Sequence, residues 1–338
     1  MAYEGGKGVI RREVPVEEAI GLALAHDMTR IVPGEFKGRQ FKRGHVVREE
    51  DIPVLLDMGK RHLYILELEA GELHEDDAAV RMAQAIAGEG VELSEVSEGK
   101  VILRAKRDGM LWVDARRVTA MNTIDEISIA TKRPFQHVTR GTSLAAVRPI
   151  PLVIAEDKVR AVEVIASQAQ KRAVIDVLPY QPQKVRIVTT GSEILHGRVE
   201  DKFGPVLRAK LARYGIQDVH QVFVGDERDR IADAIVEACE KGATLVLVTG
   251  GMSVDPDDRS PGAIRDAATE VVTYGTPMLP GAMLMLAYRN DTAIFGLPGA
   301  VIYDPITSFD RVLPRVLTGL RVRKRDIAVL GVGGWLNA

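Results

Sequence analysis

Three carboxylates lie close together in the segment 244–264: Asp255, Asp257 and Asp258. Carboxylate oxygens are the hard ligands that Mg²⁺ prefers, so side chains at this spacing could hold a metal ion. The pair Gly250–Gly251 comes just before them, and glycines let the backbone turn sharply or approach a ligand closely. The segment therefore predicts a site for an anion and a metal ion, and a solvated acidic loop is the alternative.

The elements on either side of this segment would position it. Leu245–Val248 is a short, β-branched apolar run, which predicts a buried strand. Ser260 and Pro261 predict a helix start, with the serine as N-cap and the proline as first helical residue. The glycine turn and the carboxylates are therefore expected where a strand ends and a helix begins.

From residue 184 onward, apolar strands and amphipathic helices alternate regularly, which predicts a parallel sheet covered on both faces. We therefore predict an α/β fold with a three-layer αβα, mostly parallel sheet over 184–320. In such a sheet, ligands bind outside the carboxyl ends of the strands. Three predicted strands end in small or polar turn residues, namely Thr190-Gly191-Ser192-Glu193, Thr249-Gly250-Gly251 and Leu297-Pro298-Gly299. We expect these turns to form one pocket.

The N-terminal half reads as a mixed α+β region in two parts, 1–70 and 71–180, joined by a linker at 179–183 to the later domain. We predict helices from Pro15, over 51–58 and from Glu75. The dipeptide Asp108–Gly109 between two β-type runs predicts a hairpin. Residues 321–338 are interpreted as a C-terminal tail.

Composition restricts the class of protein. The 338 residues are 46% apolar and 27% charged, with a net charge of −2, so the surface has no basic excess for nucleic acid. No stretch approaches the roughly 18 apolar residues of a membrane span, so we expect a cytoplasmic protein. The single Cys239 excludes an internal disulfide and a multi-thiolate metal site, and its spacing predicts core packing.

The three turn motifs carry a family resemblance. TTGSEILHG, TGGMSVDPDD and GLPGAVIYDPITSFDRVLPRVL resemble, in the same order, the molybdopterin-binding domain of molybdopterin adenylyltransferases and molybdopterin molybdenumtransferases. The resemblance covers about 184–319, and the first 180 residues are more loosely similar to the front half of the molybdenumtransferases. Since only 320–338 follow Gly319, the chain resembles a molybdenumtransferase-like variant that lacks the C-terminal domain.

The resemblance implies roles for individual residues. Glu193 and Asp258 are expected to be catalytic, and Asp255, Asp257 and Asp258 to bind Mg²⁺. The cradle for molybdopterin or its adenylate is expected to comprise Thr190, Gly191, Ser192, Thr249, Gly250, Gly251, Ser253, Pro298 and Gly299. The implied reaction is Mg²⁺-assisted insertion of molybdate with release of AMP. The family also implies a homo-oligomer, dimer or trimer, and a client molybdoenzyme is a further expected partner; nucleic acid and membranes are not.

Three positions depart from the family pattern. Ser192 stands where the TGDE motif has aspartate, the turn Thr276–Gly281 lacks the family's lysine, and Ala300 replaces the asparagine of the PGN turn. The missing lysine and the serine at position 192 favour a second interpretation, a non-catalytic carrier or chaperone that delivers molybdopterin to a molybdoenzyme. A third reading is a nucleotide pyrophosphatase related to the competence-damage-inducible family, which has a similar TGG…DD signature.

Several other polar residues admit a structural reading. We expect Asp226 to cap the following helix, and a surface or capping role for Asp304 and Asp310. His196 could face the ligand or be solvated, and Asp201 could line the same cleft.

Overall fold

A computed structural model describes residues 11–32, 36–66, 68–168, 172–253, 255–256 and 258–336. The chain divides into two compact units. One comprises the residues up to 107, 112–134 and 139–177; the other comprises 108–111, 135–138 and the residues from 178 onward. The sequence-based boundary at residues 70–71 stays a prediction.

The residues before the linker form short strands and four α-helices within the described ranges. The strands are β1 (Arg11–Pro15), β2 (Met28–Val32), β3 (Phe36–Phe41), β4 (His62–Leu66), β5 (Glu72–His74), β6 (Val91–Leu93), β7 (Val101–Ala105), β8 (Gly109–Val113), β9 (Ile127–Thr131), β10 (His137–Val138), β11 (Ser143–Pro149), β12 (Val153–Ala155) and β13 (Ile175–Leu178). The helices are α1 (Asp51–Asp57), α2 (Glu75–Ile86), α3 (Ala115–Asn122) and α4 (Glu156–Ser167).

Antiparallel pairing dominates this half. In the first unit, β1 pairs with β4, β2 with β3 and β12 with β5, and a four-stranded sheet has the order β6-β7-β11-β9. The predicted helices over 51–58 and from Glu75 are confirmed as α1 and α2. Helix α3 was not predicted, because its eight residues, ARRVTAMN, are too few to show a sustained helical stripe.

The predicted helix from Pro15 is wrong. Only a single 3₁₀ turn forms, over Val16–Glu18. Gly21 then adopts a φ of +84°, which a right-handed helix does not allow. The backbone after it bonds across to the segment 44–47, with Leu24 N–H donating to the carbonyl of His45. Cross-strand partners therefore replace the i−4 carbonyls of a helix, although Leu24 is still buried in the core.

The predicted hairpin at Asp108–Gly109 is also wrong. β7, before the dipeptide, pairs with β6 and β11, whereas β8, after it, pairs with β10. The two-residue type I′ turn needs positive φ at both central residues, and Gly109 is not among the described glycines with positive φ. Strands β7 and β8 therefore pair with other strands and not with each other.

The second unit contains the predicted three-layer fold. Its strands are β14 (Val185–Thr190), β15 (Val219–Val224), β16 (Leu245–Thr249), β17 (Glu270–Tyr274), β18 (Met285–Arg289) and β19 (Thr292–Leu297). Its helices are α5 (Ser192–Leu195), α6 (Phe203–Ala212), α7 (Arg228–Glu240), α8 (Ser260–Ala267), α9 (Ala300–Tyr303), α10 (Ser308–Leu317) and α11 (Lys324–Ala328), followed by a 3₁₀ turn over Val329–Gly331.

These strands make one six-stranded sheet in the order β15-β14-β16-β19-β18-β17. β14, β15, β16 and β19 are parallel, and β18 runs antiparallel to both of its neighbours. Alternate residues of the sheet pack into two separate hydrophobic cores. One contains Leu247, Leu207 and Phe309, and the other contains Val248 and Ile264. The predicted α/β, mostly parallel sheet with helices on both faces is confirmed.

The predicted final helix from Val301 to Leu317 is two helices, α9 and α10. Between them, Asp304 is extended, with φ −100° and ψ 131°. Pro305 causes this break because a proline lacks an N–H and disfavours the helical conformation of the residue before it. Helix α10 restarts with Thr307 as N-cap, and Asp310 completes a capping box, as its expected capping role requires. Within the described ranges, no helix is both long and apolar enough to cross a membrane.

A buried glutamate makes the stability of the first unit depend on pH in a predictable direction. Glu75 is 9% exposed, and burial, together with the neighbouring Asp76, raises the pKa of its carboxyl above the ordinary 4.5. Arg148 compensates only partly, since its guanidinium lies 3.8 Å away. A raised carboxyl pKa means that the folded state holds the proton more tightly. The protonated Glu75 carboxyl therefore contributes to stability at low pH, and this contribution is lost as the pH rises through the folded-state pKa.

We therefore expect Glu75→Gln to raise the unfolding midpoint at neutral pH and to flatten its dependence on pH above 4.5. Thermal unfolding followed by circular dichroism, from about pH 4.5 to about pH 8, measures this. The exposed Glu49 provides the control, and Glu49→Gln should leave the profile unchanged. A Glu75→Gln profile parallel to that of the unaltered protein would contradict the expectation.

Candidate functional site

The three predicted turns lie next to one another at one edge of the sheet. In the parallel register, Thr189 of β14 is opposite Thr249 of β16, and Thr249 is opposite Leu297 of β19. The turns that follow these residues are therefore on adjacent strand ends, as expected for a ligand site in an open parallel sheet. Strand order thus brings together three motifs that are far apart in sequence.

The first two turns are in direct contact at Gly250. A Cβ built on Gly250 would lie 2.6 Å from the carbonyl oxygen of Thr190 and 2.7 Å from its hydroxyl, and Gly250 has a φ of +88°. Gly251 is also left-handed, with a φ of +57°. Only glycine satisfies both the space and the backbone conformation at position 250.

Helix α8 closes this turn from the other side. The hydroxyl of Ser260 donates to the carbonyl of Gly250 (2.7 Å), and its N–H donates to the carbonyl of Gly251 (3.2 Å). Ser260 was expected to cap its own helix, but the N-cap residue is Arg259 and the serine hydroxyl points to the turn instead. The serine therefore ties the glycine turn to the helix that follows it.

The acidic loop is folded back on the turn. The N–H of Ser253 donates to Oδ2 of Asp258 (2.9 Å), and the N–H of Asp258 donates to the carbonyl of Asp255 (2.9 Å). Ser253 and Asp255 are exposed, and Asp258 is half-buried. Asp257, the third predicted metal ligand, lies outside the described residues.

Two carboxylates at this loop suit Mg²⁺ in only one way. In the described part of the chain, no three side chains of Asp, Glu, His or Cys gather as a ready-made metal cage. Mg²⁺ is, however, commonly held by one or two carboxylates together with waters and the phosphates of a substrate. Asp255 and Asp258 fit that second mode, in which metal and ligand bind together.

The TGSE turn depends on Asp226. The N–H of Ser192 donates to Oδ2 of Asp226 (2.8 Å), so this carboxylate holds the start of α5. The expectation that Asp226 caps the following helix is wrong, because Glu227 is the N-cap residue of α7 and makes no side-chain cap. Glu193 is exposed, and its carboxylate turns back over Gly191, 3.0 Å from where a Cβ would lie. Two carboxylates therefore lie at this turn.

The two threonines of the predicted cradle brace the turns from inside. Thr249 is fully buried and donates to the hydroxyl of Thr189 (3.1 Å), and Thr190 is 3% exposed. At the third turn, Pro298 is buried and Gly299 is exposed. Of these residues, only Gly299 presents an open surface to a ligand.

Two other candidates have structural partners. Asp201 accepts from the N–H groups of Phe203 and Gly204 at the start of α6 and from the amide of Gln221, 2.6 Å away. His196 is exposed, and its Nδ1 lies 2.6 Å from the carbonyl of Ser192. His196 therefore contacts the first of the three turns at Ser192, and Asp201 is bonded to the start of α6 and to Gln221.

Tyr274 belongs to the site but was not identified from the sequence. Its hydroxyl donates to the carbonyl of Met252 (2.9 Å) and lies 3.4 Å from that of Ser253. Burial, together with the charge of Asp258, raises the pKa of this phenol, so it stays a donor at neutral pH. The available signal was its place at the end of strand β17, which runs parallel to β19 and so ends at the same edge of the sheet.

A cavity of 340 Å³ lies at the opposite edge of the same sheet. Among its lining residues, Gln183 and Thr244 precede strands β14 and β16, and Ala293 is near the start of β19. It contains none of the predicted site residues. The candidate site is therefore a surface formed by turns and is separate from this cavity.

Comparison with known families supports the assignment of this region. Residues 186–318 match the family model described as "Probable molybdopterin binding domain", which confirms the resemblance seen in the three motifs. Residues 13–67 match a second model, a domain of unknown function.

Curated relatives match about a third of the chain. A CinA-like protein of Acaryochloris marina is 36% identical over 108 residues, which are 32% of this chain and 26% of that protein. The molybdopterin molybdenumtransferase of Staphylococcus aureus strain N315 is 30% identical over 122 residues, 34% of this chain and 29% of that enzyme. The chain thus spans less than a third of the length of these relatives.

Solved structures cover a similar share of the chain. The molybdopterin biosynthesis enzyme MoaB of Thermus thermophilus has a TM-score of 0.35 and 24% identity, covering 42% of this chain and 98% of that one. The tungsten cofactor synthesizing protein MoaB of Pyrococcus furiosus has a TM-score of 0.31 and 21% identity, covering 41% and 89%.

Proposed function

We propose that the second unit binds molybdopterin or its adenylylated form in molybdenum cofactor biosynthesis and acts as a molybdenumtransferase. The observation that carries this proposal is the meeting of three turns at neighbouring strand ends, with Gly250 against Thr190 and Ser253 bonded to Asp258. Molybdopterin carries a phosphate, which backbone N–H groups at a glycine turn can bind. The match of 186–318 to the molybdopterin-binding family supports the same ligand.

In this proposal, the Asp258 carboxylate accepts a hydrogen bond from the backbone N–H of Ser253, which the ligand needs as a donor. The N–H of Ser253 bonds to the Asp258 carboxylate, so a phosphate oxygen has to take its place. Asp258, with Asp255 and Asp257, would then be available to hold Mg²⁺. Mg²⁺ bound between these carboxylates and the ligand's pyrophosphate would neutralise charge and act as a Lewis acid. Anion and metal are therefore expected to bind cooperatively.

The other residues would orient the reacting groups. Glu193 is exposed at the neighbouring turn and would position a water or the developing oxyanion. Asp226 would hold Ser192 and hence the direction of α5. Gly299 leaves the third turn open for the pterin, and Pro298 shapes the floor beneath it.

The test is to incubate the purified protein with adenylylated molybdopterin, molybdate and Mg²⁺ and to measure AMP. The proposal expects AMP release, and Asp258→Asn should reduce it by about 10- to 100-fold. Asp291→Asn is a matched control, because this exposed aspartate lies at the opposite edge of the sheet. If Glu193→Gln and Asp258→Asn both left binding and AMP release intact, the site assignment would be wrong.

A carrier or chaperone is the second candidate, favoured by residues that the chain has lost. The turn Thr276–Gly281 has no lysine, so a cation expected to face an anionic group is missing, and Ser192 lacks the carboxylate of the TGDE motif. Tight binding of the ligand without AMP release would establish this reading and exclude the enzyme.

A nucleotide pyrophosphatase is the third candidate. The 36% identity to a CinA-like protein over 108 residues favours it. With a free dinucleotide as the substrate, this interpretation requires turnover, and it requires that molybdopterin does not bind.

The expected partners are part of the proposal. The family resemblance implies a homo-oligomer, dimer or trimer, and a client molybdoenzyme. Measurement of the mass in solution at several concentrations tests the first of these directly.

A further inference from the structure

Tyr274 contacts the candidate site from the far edge of the sheet. It is the last residue of β17, the outermost strand on that side, and its hydroxyl reaches the loop that follows β16. A phenol has one proton to donate, so the shorter contact, 2.9 Å to the carbonyl of Met252, is the main hydrogen bond. The guanidinium of Arg265 lies 5.5 Å from the centre of the ring.

The residue that accepts this bond is already fixed at its side chain. Met252 is 5% exposed and packs on β19, where a Cβ built on Gly296 would overlap its terminal methyl. Its side chain thus holds the Cα of Met252 in place. The peptide that links Met252 to Ser253 can still rotate about its flanking bonds.

Tyr274 controls that rotation, because the peptide group is one rigid plane. The carbonyl of Met252 and the N–H of Ser253 belong to the same trans peptide and point in opposite directions. Tyr274 holds the carbonyl end, and Asp258 holds the N–H end at 2.9 Å. Fixing the carbonyl therefore fixes the direction in which the N–H of Ser253 is offered.

We propose that Tyr274 is a positioning residue that orients the Ser253 N–H toward the phosphate of the ligand. This inference rests on the proposed function, in which that N–H passes from Asp258 to a phosphate oxygen. Without the phenol, the carbonyl end of this peptide loses its hydrogen bond, and once the phosphate displaces Asp258 from the N–H, ligand binding has to supply the lost order. The ring of Tyr274 does not need to touch the ligand.

The experiment compares Tyr274→Phe with Tyr288→Phe in the full chain. Tyr288 is a matched control, since its buried hydroxyl accepts from the N–H of Val322 and lines the cavity at the opposite edge. Inorganic pyrophosphate with Mg²⁺ is the binding probe, measured by calorimetry. Hydrogen–deuterium exchange of the peptide covering 251–258 reports the order of the loop.

We expect Tyr274→Phe to weaken pyrophosphate binding by roughly tenfold and to accelerate exchange over 251–258, whereas Tyr288→Phe changes neither. Equal binding and equal exchange in Tyr274→Phe and the unaltered protein would overturn the inference. If the unaltered protein does not bind pyrophosphate, the proposed function fails. In that case, hydrogen–deuterium exchange at Ser253 still tests the positioning role of Tyr274. Exchange in Tyr274→Phe equal to that in the unaltered protein would refute this role.

Discussion

Replacing Gly250 with alanine is expected to abolish ligand binding and to lower the free energy of unfolding of the second unit by about 3 kcal/mol. The added Cβ would lie 2.6 Å from the backbone carbonyl of Thr190, which cannot move without shifting strand β14. The φ of +88° adds strain for any residue with a side chain. The two turns that meet at this point would have to separate.

Gly299→Ala is the control for stability. Gly299 ends the third turn with a φ of −54°, and a Cβ there would meet no atom within 4 Å. Urea unfolding should therefore separate the two variants clearly, and calorimetry with pyrophosphate and Mg²⁺ should show no binding to Gly250→Ala. A Gly250→Ala protein as stable as Gly299→Ala would mean that the close contact with Thr190 is not required.

Lys210→Met is expected to lower the free energy of unfolding by about 3–5 kcal/mol, because it leaves the carboxylate of Asp310 without its charge partner. Lys210 is 7% exposed, and its ammonium lies 2.9 Å from both oxygens of Asp310 and 2.9 Å from the carbonyl of Pro305. The lysine therefore ties α6 to the break between α9 and α10. Because this break follows the Pro298–Gly299 turn, ligand binding should weaken as well.

A double variant separates charge from packing. In Lys210→Met with Asp310→Asn, the buried charge is gone and the amide oxygen can still accept from Thr307, so part of the stability should return. Lys241→Met, which removes an exposed lysine just after α7, should change little. Chemical denaturation of these three variants and the unaltered protein gives the comparison. A double variant less stable than Lys210→Met alone would contradict the argument.

The sequence predicted the part of the fold in which local pattern and long-range structure agree. The strands β14, β16 and β19 are largely apolar segments bounded by turn residues, and the alternation of these strands and β15 with helices implied the parallel sheet. The site followed from the same alternation, because the carboxyl ends of such strands meet at one edge. The residue pattern therefore predicted that the turns of Thr190 and Gly250 lie at one edge of the sheet, and the strand order in the structure makes them neighbours.

The predictions that proved wrong concern residues whose hydrogen-bond partners are distant in the chain. The apolar stripe around Leu24 predicted a helix, but the segment 44–47 provides its backbone partners. Asp226 looked like the cap of the next helix, and its actual donor is the N–H of Ser192, 34 positions earlier. No local pattern predicts such a pairing. Pro305, by contrast, was a visible signal, since a proline disfavours the helical conformation of the residue before it, although Pro314 lies inside α10 without ending that helix.

The two short segments 108–111 and 135–138 belong to the second unit, although they precede its main part in the chain. The ring of Phe135 lies 3.5 Å from the guanidinium of Arg315, which is 6% exposed, and His137 lies 3.0 Å from the hydroxyl of Tyr180. Expressing residues 178–338 alone would remove both partners and leave a buried cation without its aromatic cover. Any exchange of this module between proteins has to carry the two segments with it.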